Sequence, residues 1–177
     1  MKISTELGSS SRFVGERRAV ELIAKAGFDA WDFTMYINMI RYDWGTKKFI
    51  ECDHPLAGKD YLAFARELKK IGEDNGITCN QSHAPFPIVF PEIRSYLERA
   101  IECTAEAGGK ICIIHPYNDW SAEKNAEMYS ELLPFAKDCK VKIATENMWN
   151  WNSDKDCAAP AACSDEKSFI EHLQAVD

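Results

Sequence analysis

Three side chains able to hold a divalent cation occur at matching places along this 177-residue chain. Each stands where a short strand-like segment ends. The run Ile77 to Gln81 leads into Ser82-His83-Ala84-Pro85, Ile111 to Ile114 leads into His115-Pro116, and Val141 to Thr145 leads into Glu146-Asn147. Taken singly, a histidine at such a place reads as a turn residue, and a glutamate before asparagine reads as a cap or an ion-pair partner. Three in phase at one end of successive strands read differently. His83, His115 and Glu146 are then positioned to converge on one metal ion, and two imidazoles with a carboxylate suit manganese, cobalt, magnesium or zinc. His54, in a long loop, and His172, on a helix face expected to be exposed, lack this placement and are read as surface residues.

Aromatic residues gather near the same ends. Trp31, Phe33, Tyr36, Tyr42 and Trp44 accompany the second strand, and Trp120, Trp149 and Trp151 follow the fourth and fifth. Such residues line pockets for small polar ligands such as sugars, and Trp31 and Trp120 are taken as substrate contacts. The competing reading is a local apolar cluster that pins the loops to the body.

The elements that must position these groups alternate. Lys2 to Thr5, Ala30 to Phe33, Ile77 to Gln81, Ile111 to Ile114 and Val141 to Thr145 read as strands, and the fourth, Ile-Cys-Ile-Ile, is a continuous apolar run of the kind buried on both faces of a parallel sheet. Between them, Arg17 to Ala26, Asp60 to Asp74, Glu92 to Ala107 and a segment capped by Ser121 carry apolar residues at helical spacing. Pro134 is expected to bend or shorten that last helix, and a fifth helix begins after Ser164. Five strand–helix units in series predict an α/β domain over residues 1–177 with a parallel sheet and right-handed crossovers, either doubly wound or part of a (β/α)8 barrel. No glycine-rich phosphate loop follows any strand, which weakens the nucleotide-binding version. Two loops are long, Met35 to Lys59 and Met148 to Cys163.

Composition narrows the partners. With 46% hydrophobic residues the chain can build a core, and its net charge of −7 argues against a nucleic-acid backbone as its partner. No stretch is apolar enough to span a membrane, and Met1 to Glu6 lacks a signal-peptide core, so a cytoplasmic protein is expected. Seven cysteines without framework spacing fit reduced thiols.

The sequence resembles the xylose isomerase-like TIM barrels, the superfamily of sugar phosphate isomerases and epimerases that also holds the endonuclease IV enzymes. The resemblance rests on Ala26-Gly27-Phe28-Asp29, Pro55-Leu56-Ala57-Gly58-Lys59-Asp60, Asn75-Gly76-Ile77, Ser82-His83-Ala84-Pro85, Ile113-Ile114-His115-Pro116 and Thr145-Glu146-Asn147-Met148, in that order along nearly the whole chain. It implies that Glu146 binds the catalytic divalent metal and, as in the epimerases, exchanges a substrate proton beside a carbonyl through an enediolate. It implies that His83 and His115 are metal ligands, as in the endonuclease branch, or contact substrate together with Asn147, as in the sugar branch.

The ligands that the family carries on its sixth to eighth strands have no counterpart here. A full barrel takes roughly 250 residues, so five of eight units are expected, short of the partners that Glu146 needs. The resemblance therefore implies three readings. The first is a truncated sugar or sugar phosphate isomerase or epimerase whose isolated chain lacks full activity. The second is an endonuclease IV-like metal-dependent hydrolase, which the acidic charge counts against. The third is a non-enzymatic half-barrel that associates, as a homo-oligomer, through the open edges of its first and last strands.

Overall fold

The computed structural model describes residues 1–36 and 38–176. Five parallel strands form its sheet: β1 (Ser4–Glu6), β2 (Ala30–Thr34), β5 (Thr78–His83), β6 (Ile111–Ile113) and β7 (Lys142–Ala144), side by side in that order. The crossovers carry α2 (Glu16–Lys25), α3 (Tyr61–Asp74), α4 (Arg94–Glu106, entered through a 3-10 turn at Pro91–Ile93) and α5 (Ala122–Asp138), and α6 (Glu166–Gln174) follows β7. The five strand–helix units make an incomplete TIM barrel. Among the described residues β1 and β7 each pair on one side only.

Strand order follows chain order because each helix buries one apolar stripe on the sheet and returns the chain to the next position. In α2 that stripe is Ala19, Val20 and Ile23, and in α4 it is Leu97, Ala100, Ile101 and Thr104. Gly27 and Gly76 end α2 and α3 with φ of 91° and 77°, a left-handed turn that a side chain would strain. Ser121 caps α5, accepting from the Lys124 amide at 3.3 Å, and Asp165 caps α6, accepting from the Ser168 amide at 2.9 Å. The expected shortening at Pro134 does not occur, since α5 continues through it to Asp138.

Three elements go beyond the alternating pattern. A short helix, α1 (Gly8–Val14), follows β1, and each long loop contains a small antiparallel hairpin: β3 (Arg41–Asp43) with β4 (Lys48–Ile50), and β8 (Asn150–Asn152) with β9 (Cys157–Ala159).

The core lies between sheet and helices. Trp31, Phe33, Leu68, Leu97, Ile101 and Ile114 are buried in it. Trp31 is wholly buried, edge-on to Phe33 at 5.3 Å, with its indole against Gly72 of α3. A Cβ at Gly72 would stand 3.0 Å from both the Trp31 Nε1 and the Ile77 carbonyl oxygen. Gly72→Ala is therefore expected to destabilise the fold by about 1–3 kcal/mol through overpacking, even though alanine is the better helix former. A urea midpoint at or above that of the parent chain would show that the helix–strand contact is loose.

Candidate functional site

Strand parity decides which side chains meet at the carboxyl end of the sheet. The register pairs Thr34 with His83, His83 with Ile113, and Ile113 with Ala144. His83 therefore lies at the level of Ile113 and Ala144, and His115 and Glu146 stand two residues beyond those two, on the same face. Their neighbours point the other way. Thr145 takes a hydrogen bond from the Tyr129 hydroxyl of α5, and Ser82 bonds Thr104 of α4.

The three predicted ligands do converge. The Glu146 Oε2 lies 3.0 Å from the His115 Nε2 and 3.3 Å from the His83 Nε2, and the two imidazole rings cross at 5.5 Å between centroids. All three donor atoms lie within 4.8 Å of one another. Behind them, Asp32 sits buried in the middle of β2. Its Oδ1 is 3.0 Å from the His83 Nδ1, and its Oδ2 accepts from the Gln81 Nε2 at 2.7 Å. With Asp32 accepting from the Nδ1, the neutral form of His83 turns its Nε2 lone pair toward Glu146. A lone pair facing a carboxylate oxygen needs either a proton or a cation between them. This is the arrangement in which a carboxylate orients a metal-binding histidine, and the donor set fits a small divalent ion.

The two imidazoles are pushed apart in basicity. Burial works against the charged form of His83, but its hydrogen bond to Asp32, that carboxylate's charge and Glu146 outweigh burial and raise its pKa. At His115 burial prevails over Glu146, the charge of His83 adds to it, and the pKa falls.

Asp32 and Gln81 escaped the sequence reading, although a lone aspartate inside Ala-Trp-Asp-Phe-Thr was a usable signal: a charge in a buried strand requires a partner. Asp32→Asn removes one of the two acceptor oxygens that serve Gln81 and His83. It is expected to lower divalent-metal affinity about 10–100-fold with the fold intact. Calorimetric titration with Mn²⁺ checks this, and an affinity within twofold of the parent's would refute the orienting role.

The remaining predicted residues scatter. Asn147 is exposed at the rim. Trp31 does not reach the mouth: β2 alternates, Asp32 and Thr34 take the site face, and Trp31 falls on the helix face. Trp120 is half-buried against Tyr117 with the Lys124 ammonium over its ring at 4.6 Å. His172, expected on the surface, is buried because α6 packs that face onto α5. Its Nδ1 bonds the Ser168 carbonyl oxygen at 2.8 Å, and its Nε2 accepts from the Asn125 Nδ2 at 3.2 Å. His54 is likewise engaged rather than free on the surface. Its Nδ1 accepts from the Leu56 amide at 3.2 Å and its Nε2 meets Glu16 at 3.3 Å, tying the long loop to α2.

The exposed aromatics assemble elsewhere. Trp44 from the β3–β4 turn and Trp149 and Trp151 from the second hairpin face Phe86 and Tyr117 across a cleft of about 380 Å³. Its wall touches the triad through Phe86, whose ring meets that of His115 at 5.8 Å.

With this geometry in hand, comparison with known proteins is specific about lineage. The chain belongs to the xylose isomerase-like TIM barrel family, whose sequence profile matches residues 20–177. No curated protein matches it. Among solved structures it is similar to a D-tagatose 3-epimerase-like protein, at 21% identity and a TM-score of 0.68, over 100% of this chain and 61% of that one. It is also similar to the probable 3-DHS dehydratase of petrobactin synthesis from Bacillus anthracis (13%, 0.67, 100% and 60%). A third is a xylose isomerase-like TIM barrel protein from Mycobacterium smegmatis in complex with magnesium (15%, 0.64, 99% and 61%). The chain thus spans about three fifths of the length of these neighbours. Among the described residues no helix is long and apolar enough to cross a membrane.

Proposed function

We propose that the chain supplies the first five strand–helix units of a sugar isomerase or epimerase that moves a proton beside a carbonyl. The observation that carries this reading is the convergence of two imidazole nitrogens on one carboxylate oxygen of Glu146, at the mouth of an incomplete TIM barrel. His83, His115 and Glu146 would hold a divalent cation, with Asp32 fixing the His83 ring. Such an ion lowers the cost of negative charge on the oxygens of an enediolate. Glu146 is the base by position: its side chain is 43% exposed at the open end, whereas Asp32 is 6% exposed and occupied by Gln81 and His83. His115, whose burial lowers its pKa, offers a substrate oxygen or a cation its ring nitrogen. The net charge of −7 and the carboxylates Glu6, Asp32 and Glu146 on the site face disfavour a phosphodiester backbone as substrate.

The test is metal-dependent exchange of the substrate hydrogen next to the carbonyl. The 177-residue chain, and any longer product of the same reading frame, are incubated in D2O with a panel of ketoses and ketose phosphates and followed by NMR. Deuterium entering beside the carbonyl only when divalent metal is present is the expected result. Metal binding without exchange on any panel member, in either form, would remove the proposal.

A further inference from the structure

The cleft beside the triad is built rather than incidental, and the chemistry at Glu146 does not use it. Trp44, Trp149 and Trp151 are 65%, 78% and 50% exposed, an unusual display for three of the largest apolar side chains on one small surface. The backbone that presents them is pinned. The Asn118 Nδ2 donates to the Trp149 carbonyl oxygen at 3.2 Å, its Oδ1 accepts from the Ala162 amide at 3.1 Å, and the Met148 amide bonds the Ala162 carbonyl oxygen at 3.0 Å. The Asn150 Nδ2 donates to the Pro160 carbonyl oxygen at 3.2 Å. The hairpin is thereby fixed with its rings outward. None of His83, His115 and Glu146 lines the cleft, yet Phe86 stands between the two, with its ring on His115.

We propose that this cleft is a second sugar subsite, so that the substrate is a disaccharide or other glycoside. Its ketose end would lie at the triad and its second, uncharged ring on the tryptophan faces. The assignment rests on the reading of the triad as a sugar isomerase or epimerase site. Flat indole faces match the C–H face of a pyranose, and the exposed Asp119 carboxylate at the rim can accept its hydroxyls. No lysine or arginine lines the cleft, so nothing there would neutralise a phosphate. A volume of about 380 Å³ accommodates one ring.

The probes are lactulose, a neutral disaccharide with a ketose end, D-fructose and benzyl alcohol, each titrated into the chain by calorimetry with tryptophan fluorescence in parallel. Lactulose is expected to bind about tenfold more tightly than D-fructose, as one or two added aromatic contacts would give. Trp149→Ala with Trp151→Ala, both exposed positions, should bring lactulose down to the level of D-fructose, with an unchanged melting temperature certifying the fold. Retention of the lactulose advantage in a folded double variant overturns the subsite, as does equal binding of the two sugars by the parent chain. Benzyl alcohol binding as tightly as lactulose overturns it too, in favour of an aromatic ligand. The two proposals fail separately. Deuterium exchange on free ketoses without a lactulose advantage removes the subsite alone, and a tryptophan-dependent lactulose advantage without exchange on any ketose, lactulose included, removes the reaction alone.

Discussion

Glu146→Gln is expected to cost at least about 100-fold in divalent-metal affinity and to abolish deuterium exchange beside the carbonyl. Glutamine keeps the length and shape of the side chain and removes its charge. The loss falls on the one atom that both imidazoles address, at 3.0 and 3.3 Å. An amide oxygen is a weak ligand for a hard cation, and an amide nitrogen turned inward would donate to an imidazole and occupy the lone pair that the ion needs. A removed ligand should cost more than the 10–100-fold typical of an orienting partner. Stability should change little, because the side chain is 43% exposed. Glu6→Gln is the control at the same mouth. That carboxylate already serves the Ser9 amide at 2.8 Å and the Thr34 hydroxyl at 3.2 Å, so its loss should loosen α1 and leave metal affinity within a few-fold. Calorimetry with Mn²⁺ on both variants decides the matter. Equal losses would move the metal centre away from the triad, and a Glu146→Gln chain that still binds tightly would dissolve it.

That the triad was legible at all follows from the physics of buried parallel strands. Ile111 to Ile114 stands out as an apolar run because both faces are covered, and His115, the first polar residue beyond it, marks the strand end; Val141 to Thr145 is interrupted by Lys142, exposed on this edge strand, and is legible through Val141, Ile143 and Ala144. Three such ends share one face because each crossover resets the chain in the same direction. Side-chain parity was less legible. Trp31 and Asp32 are adjacent and an aromatic near a strand end suggests a pocket, yet one residue of phase sends the indole to α3 and the carboxylate to His83. The hairpins and α1 stayed hidden for a different reason. Their strands are three residues long, too short for alternation to register. In α1, Gly-Ser-Ser-Ser is a poor helix sequence whose first turn is held by the Glu6 carboxylate on the Ser9 amide and hydroxyl, a contact that propensity does not see. Trp44, Trp149 and Trp151 were legible as loop aromatics of the kind that line a pocket, but which of the aromatics share one cleft is decided by the two hairpins.

Trp31→Ala is the change expected to damage the fold most, by about 3–5 kcal/mol, a large share of the 5–15 kcal/mol that holds a typical domain together. The indole is wholly enclosed between β2 and α3, against Phe33 and the bare backbone of Gly72, so its removal leaves a void that the short, hydrogen-bonded strand cannot collapse to fill. The indole Nε1 has no hydrogen-bond partner among the described residues. Trp31→Phe therefore keeps an aromatic ring, discards an unsatisfied donor and should cost well under half as much. Because Gly72 and Trp31 touch, combining Gly72→Ala with Trp31→Phe should cost less than the sum of the two, as the smaller ring makes room for the new methyl group. Urea unfolding of the parent and the four variants measures the two tryptophan costs and the coupling. A pocket-lining Trp31 would behave in the opposite way, with its alanine variant losing sugar affinity at nearly unchanged stability. That outcome would require the parity of β2 to be reversed and would take Asp32 away from His83 along with it.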